Sequence, residues 1–103
     1  MEMRRFGRTD LNVSRLTFGC GAVGGLMVKG EAADQDRAIA WARDNGINFF
    51  DTAASYGNGV SETNLGRALA GNTDGIVVSS KAGVAADEMD DIAGAITRSI
   101  DAS

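Results

Sequence analysis

Apolar residues in this chain fall into short clusters separated by glycines and charged residues, and the spacing within the clusters changes along the sequence. Met3 to Phe6 and Leu11 to Ser14 are two short segments flanking Gly7-Arg8-Thr9-Asp10, a turn-rich connector, so residues 3 to 14 are predicted as a hairpin. Arg15 to Phe18 is predicted as a short strand, followed by a loop holding Gly19, Gly21, Gly24, Gly25 and Gly30. Residues 34 to 45 carry Ala38, Trp41, Ala42 and Asn45 at helical spacing, with Asp34 as a candidate cap and Gly46 as a stop. Ile47 to Phe50 is short and bulky, which suits a buried strand. A second loop with Gly57 and Gly59 leads to a helix starting near Ser61, with Glu62 in its first turn and Leu65, Ala68 and Leu69 as its apolar face. Ile76 to Ser80 is β-branched and then small, a third core strand. Asp87, Asp90 and Asp91 crowd the start of a third helix whose stripe is Met89, Ile92, Ala93, Ile96 and Ile100.

The order is hairpin, then β-α-β-α-β-α, which implies an α/β fold of parallel strands joined by right-handed crossovers. Two features are unusual for a complete domain. The third helix reaches Ser103 with its apolar stripe still running, and three parallel strands leave unpaired edges and incomplete cover. The pattern therefore predicts a part of a larger fold, truncated at this point, with self-association through the strand edges as a second expectation.

Size and charge narrow the function. The 103 residues suffice for one small core, and 44% hydrophobic with 23% charged residues is ordinary for a globular chain. A net charge of −4 with scattered basic residues gives no footprint for nucleic acid or an anionic membrane. The single cysteine, Cys20, has no internal partner and no histidine to activate it, so a buried bystander thiol in a reducing compartment is expected. With no histidine and no clustered cysteines, no metal site is expected. No apolar run approaches the roughly 20 residues of a membrane span, and the start lacks the apolar core of a secretory signal, which makes the cytoplasm the expected compartment.

The chemistry concentrates past two strand ends. Asp51 and Tyr56 follow Ile47 to Phe50, and Lys81 follows Ile76 to Ser80. In repeated βα architectures reactions occur at the C-terminal strand ends. Carbonyl reduction needs a hydride on one side and a proton for the nascent alkoxide on the other. A phenol is a reluctant acid near neutrality, and a buried cation beside it makes its proton easier to give. Lys81 supplies such a cation, and Asp51 is placed to hold it protonated in a water-poor pocket. The same residue types also serve as a structural ion pair and a packing tyrosine, and the pattern alone leaves both readings open. Gly19-Cys20-Gly21-Ala22-Val23-Gly24 satisfies G-x-G-x-x-G after a strand, yet the predicted helix begins about ten residues later than a Rossmann phosphate loop requires. Glu62 reads as support for its helix N-terminus, and the Asp87 to Asp91 cluster as a solvated helix start.

Several ordered motifs together resemble the N-terminal part of the aldo-keto reductases. They are Met3 to Ser14, Gly46 to Ala53, Tyr56-Gly57, Ser61-Glu62 and Leu65-Gly66-Arg67-Ala68-Leu69, with Lys81 at the family's strand-end lysine and Ile96 to Ile100 in the corresponding helix. The resemblance spans essentially the whole chain. It implies a (β/α)8 TIM barrel, with residues 3–14 as the hairpin closing its bottom and residues 15–103 as its first three βα units. A barrel of this kind takes about 250 residues. The family's activity implies NADPH-dependent reduction of aldehydes or ketones, or the reverse oxidation of alcohols, with NADH as the other possible donor. By motif position Tyr56 would be the general acid, Lys81 the cation assisting it and Asp51 the lysine's partner. Gly21, Ala22 and Asp51 would lie beside the cofactor. The family's usual histidine falls after a later strand, beyond this sequence. Two other expectations stand beside this one: a non-catalytic αβ fragment that acts through assembly, and a flavodoxin-like binding domain, which would leave the hairpin and the Asp51, Tyr56, Lys81 set without a purpose.

Overall fold

A computed structural model of the chain describes residues 1–103. Strands β1 (Met3–Arg5) and β2 (Asn12–Ser14) form an antiparallel hairpin with Arg4 opposite Val13. Its turn is held by Thr9, whose hydroxyl donates to the Phe6 carbonyl at 2.6 Å and accepts from the Leu11 amide. The remaining strands, β3 (Phe18–Gly19), β4 (Phe49–Asp51) and β5 (Val77–Ser79), make a parallel sheet in the order β3-β4-β5. The register sets Gly19 opposite Asp51, and Asp51 opposite Ser79.

Between the strands run α1 (Leu26–Lys29), α2 (Ala32–Asp44) and α3 (Val60–Leu69), and α4 (Ile92–Ala102) follows the sheet. Parallel neighbours need a crossover, and α2 and α3 supply it while covering one face of the sheet. Phe50 is fully buried at the centre of that face, with its ring 5.7 Å from Phe18, among Met27, Ile39, Ala42, Leu65 and Leu69.

The hairpin sits at the N-terminal ends of the parallel strands. Phe6 meets Phe49 edge to face at 5.7 Å. Asn48, just before β4, accepts from the Ser14 amide at 2.7 Å and donates to the carbonyls of Asn12 and Gly75 at 2.9 and 3.0 Å. One side chain thus fastens the hairpin, β4 and the approach to β5.

Several boundaries and faces differ from the sequence expectations. The segment Gly19 to Gly30, read as loop, contains α1, a single turn that begins directly after Gly25 and lies against α2 and α3. Helix α2 starts at Ala32, so Asp34 lies within its first turn and pairs with Arg37 instead of capping. Its buried positions are Gln35, Ile39 and Ala42, whereas Trp41 is 64% exposed because it points away from the sheet. Strand β3 is confined to Phe18–Gly19, since Arg15 to Thr17 turn the chain from the hairpin into the sheet. The acidic stretch forms a 3-10 turn at Ala86–Glu88, and Asp91 then caps α4 by accepting from the Gly94 amide. The expected stripe, Met89, Ile92, Ala93, Ile96 and Ile100, is exposed throughout, and the one buried position of α4 is Ala95, outside it, because no other element packs on the striped face. No helix is long and apolar enough to cross a membrane.

Candidate active site

Successive side chains of a strand point to opposite faces, so register decides what the sheet brings together. Phe18, Phe50 and Val78 share the helix-facing side. Gly19, Asp51 and Ser79 share the other, and two residues further on Gly21 and Lys81 return to it. The ladder continues past the strand ends: the Cys20 amide donates to the Asp51 carbonyl at 2.9 Å and the Thr52 amide to the Ser79 carbonyl at 2.8 Å. Asp51 and Lys81 therefore meet by geometry already fixed in the sheet.

The Lys81 ammonium donates to both carboxylate oxygens of Asp51, at 3.0 and 3.1 Å, and to the Thr52 carbonyl at 2.8 Å. All three of its protons have an acceptor. Its side chain is 50% exposed, so the expectation of a buried cation in a water-poor pocket is corrected. The cause is that the outer edge of β5 has no neighbouring strand. The ammonium is still held above its usual basicity, chiefly by the hydrogen bond to Asp51, with partial burial opposing and Tyr56 adding to the rise.

Tyr56 returns over the same mouth through a turn in which its amide donates to the Ala53 carbonyl and its carbonyl accepts from the Ser61 amide. Its ring lies flush against Gly21, where a β-carbon would stand 3.5 Å from two ring carbons. The Lys81 nitrogen is 5.0 Å from the ring centre, within the range of cation–π attraction. A cavity of about 390 Å³ opens between these groups, lined by Gly19, Gly21, Ala22, Val23, Asp51 and Tyr56. All five residues singled out from the sequence thus cluster at one mouth, with Gly21, Ala22 and Asp51 on the cavity wall.

On the helix side of the same strand ends lies a buried hydroxyl pair that sequence reasoning missed. Ser61, fully buried, donates to the Cys20 carbonyl at 2.8 Å and meets the Thr52 hydroxyl at 2.9 Å. It ties the start of α3 to the loops after β3 and β4. Ser61, read as a helix start and as part of the Ser61-Glu62 motif, carried no signal for this role. Glu62 lies in the first turn of α3, the place from which a carboxylate supports a helix N-terminus, and its carboxylate also accepts from the hydroxyls of Ser80 and Ser103. Cys20 is buried as expected, and burial together with the nearby Asp51 carboxylate pushes its thiol up to about 11.

The Aldo/keto reductase family model matches residues 15–103. The chain belongs to the aldo/keto reductase family. It is 39% identical over 82 residues to pyridoxal 4-dehydrogenase of Microbacterium luteolum, covering 80% of this chain and 24% of that protein. Its identity to L-galactose dehydrogenase of Arabidopsis thaliana is 37% over 109 residues, covering 100% of this chain and 33% of the relative. Among solved structures, an aldo-keto reductase from Bacillus halodurans in its holo form matches with a TM-score of 0.70 at 34% identity, over 81% of this chain and 26% of that one. This aldo/keto reductase chain spans about a quarter to a third of the length of these relatives, and its mixed α/β fold matches the Bacillus halodurans structure over most of its own length.

Proposed function

We propose that the site serves NAD(P)H-dependent reduction of an aldehyde or ketone, or the reverse oxidation of an alcohol. The observation that carries this reading is the Lys81 ammonium, gripped by Asp51 and the Thr52 carbonyl and lying 5.0 Å from the Tyr56 ring centre at the C-terminal strand ends. Tyr56 gives its phenolic proton to the carbonyl oxygen as the hydride reaches the carbonyl carbon. The π bond of the carbonyl becomes the O–H bond of the alcohol, and the phenolate regains a proton from solvent. Lys81 favours the phenolate electrostatically, and Asp51 fixes Lys81 in place.

The wall built by Gly21, Ala22 and Asp51 fits a nicotinamide, since a glycine backbone packed flat on the phenol leaves room for a planar ring beside the proton donor. When bound, that cofactor supplies the hydride. NADPH is the donor proposed by family, and paired kinetics with NADH test the preference.

In the protein carrying this chain, Tyr56→Phe removes the proton and leaves the cavity shape. Carbonyl reduction is expected to fall by roughly 10²–10⁴-fold with NADPH affinity retained. Near-wild-type turnover in Tyr56→Phe refutes the assignment. A second reading, action through assembly with another chain, is favoured by the exposed Ile92, Ile96 and Ile100 on α4 and the free edges of β3 and β5. It requires defined oligomers in sedimentation velocity, and a monodisperse monomer that binds NADPH excludes it.

A further inference from the structure

Helix α1 is only one turn long, far below the length at which a helix holds itself together. Its order must come from outside, and the structure shows the source. Gln35 on α2 is 1% exposed, and its amide nitrogen donates to the carbonyls of Leu26 and Gly30 at 2.9 and 3.0 Å, one at each end of the turn. Its amide oxygen accepts from the Arg67 guanidinium of α3 at 2.7 Å. Arg67 also donates to the Asn64 side-chain oxygen at 2.8 Å and to Asp36 at 3.1 Å. Asn64 closes the ring by donating to the Met27 carbonyl at 2.9 Å. Two carbonyls of α1 and that of the glycine ending it are thus gripped by two side chains that Arg67 locks to each other.

What α1 touches gives this clamp a purpose. A β-carbon at Gly57 would stand 2.7 Å from a Val28 methyl, so α1 presses directly on the residue after Tyr56. The segment that ends in α1 also begins with Gly21, against which the Tyr56 ring lies. One clamped segment therefore meets the Tyr56 ring at its start and the backbone directly after Tyr56 at its end.

We propose that Gln35, with Arg67 and Asn64, is a positioning residue for Tyr56, acting through α1. The proposal rests on the reading of Tyr56 as proton donor for its functional meaning, but not for its test. Tyr56 is the only tyrosine among these 103 residues, and in the protein carrying them, labelled with 3-fluorotyrosine, the fluorine resonance lost in Tyr56→Phe reports the phenol's surroundings without cofactor or turnover. The full chain is compared as wild type, Gln35→Met, which keeps the side-chain length and removes all three hydrogen bonds, and Gln35→Glu, which keeps only the acceptor for Arg67. Arg37→Ala, exposed on the same helix and bonded only to Asp34, is the control. Both Gln35 variants are expected to displace or split the fluorine resonance while the circular dichroism stays native, and Arg37→Ala leaves the resonance in place. An unmoved resonance in a natively folded Gln35→Met overturns the proposal. If Gln35→Met loses the fold, Asn64→Leu, which frees the Met27 carbonyl from the other side, takes the same readout with the same two outcomes. Full activity in Tyr56→Phe would remove the catalytic reading and leave this result standing.

Discussion

The buried hydroxyl pair behind the site makes a directional prediction. Ser61 has one proton, and it is committed to the Cys20 carbonyl at 2.8 Å. The 2.9 Å contact between the two hydroxyls must then use the Thr52 proton, with Ser61 as acceptor. Both side chains are essentially sealed from water, at 0% and 2% exposure. Ser61→Ala strands the Thr52 hydroxyl in the core and deprives the Cys20 carbonyl of a donor. Adding one lost hydrogen bond to an orphaned buried donor gives about 2–4 kcal/mol. Thr52→Val keeps the shape and removes only a donor, leaving Ser61 bonded to Cys20, so it costs about 1 kcal/mol. The test lies in combining them. In the Ser61→Ala background the Thr52 hydroxyl has no partner, so Thr52→Val there should be neutral or stabilising, a coupling of roughly 1–3 kcal/mol. Urea unfolding of the four chains followed by far-ultraviolet circular dichroism measures it, provided the m values agree. Equal costs for Thr52→Val in both backgrounds, within about 0.5 kcal/mol, would refute the directed relay.

Three further outcomes are expected. The Cys20 thiol, pushed up to about 11 by burial and the Asp51 carboxylate, should react with a disulfide reagent at pH 8 only after urea is added, and reaction at the free-thiol rate in the native chain contradicts this. Because the folded value lies above the ordinary 9.0, stability from this group is complete below pH 9 and declines as pH rises toward about 11, which thermal melts across that window should show. Asn48→Ala removes three hydrogen bonds at the hairpin junction and should cost about 1–3 kcal/mol in thermal unfolding, while Asn48→Asp, which keeps the acceptor for Ser14 but sets a carboxylate oxygen against the Asn12 and Gly75 carbonyls, should cost at least as much. Gly57→Ala forces a β-carbon into Val28 at a backbone φ of +62°, so it should destabilise by more than 1 kcal/mol, and adding Val28→Ala should return part of the loss.

The parallel sheet and the Asp51–Lys81 pairing were legible in the sequence because both follow from local pattern: bulky runs mark the strands, and a place at the C-terminal ends of neighbouring strands, on the same face two residues apart in register, suits the ion pair. Tyr56 was legible from its motif position. What escaped was non-local. Helix α1 has no periodicity of its own to read, since Gln35 and Asn64 supply its order from elsewhere in the chain. Helical spacing groups Trp41 with Ala38, Ala42 and Asn45, but Ile39 and Ala42 define the covered face, a choice between neighbouring stripes that only packing makes. The stripe of α4 was read correctly as apolar, yet apolar character does not provide a partner. The exposure of Lys81 likewise depends on what lies beyond β5, which no residue near Lys81 encodes.

Three consecutive residues of the chain, Phe50, Asp51 and Thr52, answer to opposite demands: the first and third vanish into the helix side, and the one between them opens on the cavity. Substitution at any one of them is a local event. Gain or loss of a single residue within β4 is not, because it exchanges the sides and drives a carboxylate toward Ile39 and Leu65 while turning a phenyl ring toward Lys81. This stretch should accordingly tolerate no change of length, and an insertion scan along the chain should read as a sharp gap at residues 48–52.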